Sequence, residues 1–414
     1  MLAILVAGSL AVGLAACGGD DDDDAAEGDT EAADTSEQTA QGGVSLECTD
    51  GRILVGIAKA ESGVASFFDV AGTRGAKIAF DQINEEGGIK GCPIETIEGD
   101  TRSDPAVAAQ VARSLIDQGA QILLVPDDFD LGIAAAKIGQ EAGVLTLSTA
   151  ASSTEFASAV GDLFFNAGPT TTQLGEAQAQ FALDQGWTKT FFVVDEGLAY
   201  FTEQVETYTA LYEAGGGSIV GTDTVDSLGG QADFSAEISQ IERADPAPQV
   251  INVQMIFPNV GTFVKQLRGA GIDTPVLGNV TLQTRELPGV VGAGNTGDIY
   301  YAGQVYFEGA GVDPNSDPAI DEFAAQYEET FGNFPEQANG PGSFQTIWAI
   351  NEALQREDVT DAGSAAQAIR EQTNVAVPGG TLVRWEDGHA IWNITINALD
   401  ENGEFQQVTV VEAE

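Results

Sequence analysis

The feature that most restricts this chain is an alternation, run through twice, of short β-rich stretches with amphipathic helical ones. From Arg52 onward, residues 53–58 form an apolar run suited to a buried strand, and residues 72–86 have helical spacing closed by Gly87-Gly88. Residues 94–98 predict the next strand; Asp104-Pro105 then opens a helix through Gln118, with Gly119 beyond its end. Strands over 121–125 and 144–147 continue the series. A second series follows, with strands over 190–194, 218–225, 250–255 and 276–277 and helices over 200–214, 233–244 and 258–270. Repeated strand–helix order builds parallel sheets with helices on both faces. Because about six strands fill one such sheet, two series predict an α/β protein of two doubly wound parallel-sheet lobes. The remaining segments are a strand near 299–307, helices near 319–330, 344–355 and 362–372, and a β-rich tail from Leu382. They are too few for a third domain and must return to the first two. Ligands of open α/β sheets bind beyond the carboxyl ends of strands, and a crevice between lobes is a favoured pocket.

Composition removes several functions. With 64 acidic residues against 16 Lys and Arg and a net charge of −48, the chain lacks the cations that nucleic-acid phosphates require. The acidity reads as adaptation to salt or as solubility tuning. The single histidine, His389, excludes histidine triads and multi-histidine metal sites; in Trp385-Glu386-Asp387-Gly388-His389 it reads as a solvated residue of a hairpin turn. Gly292-Ala293-Gly294-Asn295-Thr296-Gly297 matches the dinucleotide fingerprint in letters, but a strand-like Ile299-Tyr300-Tyr301 follows where a helix is needed, so a surface loop is expected. No catalytic residue, metal or cofactor is expected. Among 64 acids a pair such as Asp127-Asp128 carries little by itself.

The start of the chain reads as an address. Residues 1–16 are almost wholly apolar, yet at ~1.5 Å per residue they are too short for a ~30 Å hydrocarbon core, which suits a signal peptide. Residues 18–50 hold twelve acids and no base, and 18–43 lack aromatic and large aliphatic side chains, predicting a disordered tether. Export makes a structural disulfide between Cys48 and Cys92 the expectation, because each precedes a strand and those strands are neighbours; a reduced buried pair is the alternative.

Leu14-Ala15-Ala16-Cys17 resembles the lipobox of bacterial lipoproteins, which implies lipidation of Cys17; its departure is that no Lys or Arg precedes the apolar run. Further runs resemble the type I periplasmic-binding-protein superfamily, and within it the branched-chain amino-acid binding proteins of ATP-binding-cassette importers. They are Arg52-Ile-Leu-Val-Gly-Ile-Ala-Lys-Ala-Glu-Ser-Gly63, Gly75-Ala-Lys-Ile-Ala-Phe-Asp-Gln-Ile-Asn-Glu-Glu-Gly-Gly-Ile-Lys-Gly91, Glu98-Gly-Asp-Thr-Arg-Ser-Asp-Pro105 and Ala232-Asp-Phe-Ser-Ala236. The resemblance implies two lobes joined by a three-strand hinge: 51–168 with 302–384, and 169–301 with 385–414. It also implies a monomer that hands a small molecule to a membrane permease, with membrane contact through the lipid alone. The same fold serves as a receptor domain, so a ligand-sensing subunit of a signalling complex is the alternative.

Residue by residue, the resemblance places Phe68 and Tyr200 as aromatic walls, with Phe201 where a glycine is usual, and Ala150 and Ser152 against a ligand carboxylate. Phe129 and Ile256 fall beside the ligand. Two departures alter the charge pattern: Pro126-Asp127-Asp128-Phe129-Asp130 replaces a serine-rich loop, and Val280 stands where an acid pairs the ligand ammonium. A ligand presenting a cation or hydrogen-bond donors to Asp128 or Asp130 is therefore expected: an amino acid held another way, an amide, a urea-like molecule or an amine.

Overall fold

The computed structural model describes residues 42–227, 229–292, 294–304, 318–333, 338–400 and 402–413; the leader, Cys17 and most of the tether lie outside them. Fifteen strands among the described residues form two sheets. The first contains β1 (Ile53–Lys59), β2 (Ile94–Asp100), β3 (Ile122–Leu124), β4 (Leu145–Ser148) and β5 (Phe164–Asn166). The second contains β6 (Lys189–Asp195), β7 (Ser218–Val225), β8 (Val250–Gln254), β9 (Val276–Gly278) and β10 (Ile299–Gly303). The parallel orders are β2-β1-β3-β4-β5 and β7-β6-β8-β9-β10, one arrangement used twice. Each winding reverses between its first and third strand, and there the carboxyl ends open a crevice.

The tail completes both sheets. β11 (Thr373–Val377), β12 (Gly380–Glu386) and β13 (His389–Trp392) join the first beside β5, and β14 (Ile394–Leu399) and β15 (Phe405–Val411) join the second beside β10. The chain therefore passes between sheets three times: at 167–170, between Gln304 and Pro318, and at Asn393. The change of sheet expected at 384/385 thus falls at Asn393, because Trp385 to Trp392 still pair within the first sheet.

Twelve helices flank the sheets among the described residues: α1 (Ser66–Glu85), α2 (Pro105–Asp117), α3 (Phe129–Glu141), α4 (Phe156–Val160), α5 (Thr171–Asp184), α6 (Ala199–Ala214), α7 (Ser235–Arg243), α8 (Asn259–Gly269), α9 (Leu287–Val291), α10 (Pro318–Phe331), α11 (Asn339–Leu354) and α12 (Ala362–Arg370). Local chemistry explains their starts. Asp104 accepts from the N–H groups of Ala106 (2.8 Å) and Val107 (3.0 Å) with Pro105 behind it, and Thr170 forms a capping box with Gln173. Gly75 lets α1 meet α11, since a Cβ there would lie 1.9 Å from the Gly340 carbonyl oxygen. One apolar cluster runs from the first sheet through the crossovers to the second, including Ile57, Phe165, Trp392, Phe181 and Phe192.

Two further expectations are corrected. Residues 44–50 do not belong to a free tether: Val44 N–H donates to Gly143 O (2.7 Å), Leu46 N–H donates to Thr360 O (2.9 Å), and Leu46 is buried. Cys48 and Cys92 fasten this segment to the start of β2 with an S–S distance of 1.99 Å and Cα atoms 5.7 Å apart. His389 is buried rather than solvated. The turn is as read, with positive φ at Asp387 and Gly388, but β13 lies between β12 and β5, so its first residue is inside the sheet. Burial pushes the imidazole below its usual value.

Candidate functional site

At the carboxyl ends of the first sheet, β1 is buried along its whole length and closes on Lys59. The Lys59 ammonium donates to the Asp127 carboxylate, just beyond β3, and to Thr149 Oγ1 at 2.7 Å. Asp127 Oδ1 accepts from Thr149 N (2.9 Å), Ala150 N (3.0 Å) and Ser148 Oγ (3.1 Å), all at the end of β4. From the other side, Thr149 Oγ1 lies 2.7 Å from Ser343 Oγ of α11. Asp69 of α1 accepts from Ala60 N (2.8 Å) and Asp127 N (3.0 Å). Lys59, Asp69, Asp127, Thr149 and Ser343 are all buried. Two ions removed from water are tolerable only when paired and further hydrogen-bonded, and here Thr149 serves the lysine while Ser148, Thr149 and Ala150 serve the aspartate. Burial pushes Asp69 up to about 7, Lys59 opposes that rise and Asp127 adds to it. Gly72 makes room: a Cβ there would meet Asp127 Oδ2 at 2.8 Å and Lys59 Nζ at 3.2 Å.

The second sheet's switch point is filled differently. Asp195, ending β6, accepts from Ser227 Oγ (2.6 Å) and Gly197 N (2.8 Å). Beside it runs a chain of buried amides. Gln178 Oε1 accepts from Asn252 Nδ2 (2.9 Å) and Gln254 Nε2 (3.0 Å), Gln178 Nε2 donates to Gln204 Oε1 (3.0 Å), and Asn279 donates to Gln254. Gln204 Nε2 donates to the Tyr200 carbonyl (2.8 Å), and Asn279 accepts from Thr281 N (2.9 Å) at the turn that carries Val280. The network thus supports both Tyr200 and Val280.

Between the two floors lies a small, partly open cavity of about 40 Å³. The first lobe contributes Ala150, Ser152, Ala338, Asn339 and Gly342; the second contributes Leu174, Tyr200 and Val280; Pro169 and Gln304 come from two crossovers. No charged side chain lines it among the described residues. Tyr200 Oη and Gln304 Nε2 are buried and find no partner among the described residues. Burial pushes the Tyr200 phenol well above its usual value. The amino ends of α6 and α11 form part of the wall, and neither carries a side-chain cap.

The structure brings together Ala150, Ser152, Tyr200 and Val280 of the expected residues. Phe68 is half-buried with its ring 5.0 Å from that of Phe67, and Phe129 packs edge-on to Phe156 at 5.6 Å within the first-lobe core. Ile256 is partly buried and donates its N–H to Ser227 Oγ (3.2 Å). Asp128 is turned into its own helix, accepting from Leu131 N at 3.0 Å to cap α3, and Asp130 is exposed; neither borders the cavity. Leu174, Gln304, Asn339 and the Lys59–Asp127 pair were not anticipated. The pair did leave a trace in the sequence: a lysine ending an apolar strand and an aspartate just after the neighbouring one.

Two sheets of one strand order, joined by three crossovers around a shared cavity, define a two-lobed α/β architecture. The chain belongs to the periplasmic binding protein family, whose model matches residues 52–404. It is 23% identical over 308 residues to the leucine-, isoleucine-, valine-, threonine- and alanine-binding protein of Pseudomonas aeruginosa, covering 74% of this chain and 79% of that one. Its fold matches the substrate-binding protein LivJ of Streptococcus pneumoniae, solved in complex with isoleucine, with a TM-score of 0.73 at 21% identity, covering 87% of this chain and all of that one. A solute-binding protein of R. palustris in complex with benzoate gives a TM-score of 0.69 at 18% identity over 87% of this chain and 96% of that one.

Proposed function

We propose that the chain captures one small solute in the cavity between its lobes and delivers it, closed, to the membrane permease of an ATP-binding-cassette importer. The observation that carries this reading is the wall itself, drawn from both lobes and two crossovers, with Tyr200 Oη and Gln304 Nε2 finding no partner among the described residues. A ligand touching both lobes favours the closed state by its differential affinity, so closure reports occupancy to a partner. Relatives that bind branched-chain amino acids and benzoate support a solute of that size with an apolar body. The leader sequence supports attachment of the exported chain by lipid at Cys17, with the acidic run after it as a spacer.

Mass spectrometry of the molecule that accompanies the natively purified protein identifies the solute. Tyr200→Ala is then expected to weaken its binding in calorimetry by about tenfold or more, roughly 1.4 kcal/mol, with little change in melting temperature. Unchanged affinity removes the cavity from consideration. Cys17→Ser is expected to move the protein from the membrane fraction to the soluble one, and continued lipid labelling of that variant overturns the anchor.

A further inference from the structure

Two backbone N–H groups, a serine hydroxyl and a lysine ammonium converge on one point behind the cavity, and the group they hold is a carboxylate of the chain itself. Thr149 N (2.9 Å), Ala150 N (3.0 Å) and Ser148 Oγ (3.1 Å) donate to Asp127 Oδ1, and Lys59 donates to Oδ2. Charge-assisted donors gathered in this way make an anion subsite. It adjoins the cavity directly, because Ala150 lines the wall while its N–H donates to Asp127, and Gly342 lines it next to Ser343.

We propose that Asp127 is a built-in anion occupying this subsite, and that it thereby sets specificity: the solute meets the first lobe with an uncharged end, such as an amide or a hydroxyl, and not with a carboxylate. The inference rests on the cavity being the ligand site. A ligand carboxylate at this floor would meet Asp127 and Asp69 against the single cation Lys59, with the converging N–H donors already engaged. The two wall groups without a partner among the described residues, a phenol and an amide N–H, match the hydrogen bonds of a neutral polar group and cannot neutralise a charge.

Asp127→Ala tests this, since it removes the built-in carboxylate and leaves the lysine and N–H donors facing a hole. In thermal unfolding the variant is expected to be destabilised, with formate and acetate restoring stability, formamide and acetamide failing to, and the wild type responding to none of them. In calorimetry isovalerate and benzoate are expected to bind the variant at least about tenfold more tightly than the wild type. Absence of the formate rescue, or carboxylates binding the wild type as tightly as the variant, overturns the proposal. Asp127→Ser, which keeps a hydroxyl at the position, carries the same expectations where the alanine variant does not fold. Adding Tyr200→Ala to either background separates the two readings. Loss of isovalerate binding with formate rescue intact supports both; isovalerate binding retained with rescue intact keeps Asp127 as the internal anion and overturns the cavity as the ligand site.

Discussion

Behind the ends of β1 and β3 the chain hides a lysine and two aspartates from water, whereas behind the ends of β6, β8 and β9 it hides five amides beside a single aspartate. Strand order is the same in both places, so the difference belongs to the side chains and not to the architecture. An ionic floor depends on every member being present, because removing one partner strands a buried charge. A floor of neutral amides loses one hydrogen bond at a time. The floor of the first lobe is therefore the more brittle one, and it holds a buried carboxyl, Asp69, whose charge follows pH near neutrality.

The comparison can be broken experimentally. Lys59→Met is expected to cost about 3–5 kcal/mol in denaturant unfolding, since it leaves Asp127 buried without its cation, while Lys59→Met with Asp127→Leu is expected to cost less than the single change. In the second lobe, Gln178→Leu is expected to cost about 1–3 kcal/mol, the scale of buried amide partners left unsatisfied. Equal losses for Lys59→Met and Gln178→Leu erase the distinction. The smallest effect sharpens it. Asp69 has its folded-state pKa raised from 3.8 to about 7, so the stability it contributes is full at and below about pH 4 and is lost as the pH rises through about 7. Urea midpoints measured between pH 5 and 8 should therefore fall with rising pH in the wild type and fall less in Asp69→Asn.

Much of the fold was legible because the strands that carry it are apolar runs between turn residues: the strand expected over 218–225 is β7 to the residue, and the predicted cap at Asp104 is in place. Among the elements that escaped were α3 and α5, whose alanine- and glutamine-rich faces offer little contrast between buried and exposed positions, and the short α4, β5 and α9. In the candidate site, Ala150, Ser152, Tyr200 and Val280 were legible by resemblance. Asp128 was not, because an aspartate just before a helix has two uses, and the helix it caps had gone unread. The α3 cap accounts for Asp128, whereas Asp127, one residue earlier, is the aspartate that faces Lys59. Gln304 ends β10's side of a crossover and Asn339 opens α11, 35 residues on, and only the folded chain brings them together.

The stitched segment at 44–50 has a mechanical consequence. It is fastened beside Gly143, Thr360 and Cys92, at the amino edge of the first sheet, while the cavity opens at the carboxyl edge. Any pull arriving along the polypeptide before residue 44 is borne by that one lobe, at the end remote from the cavity.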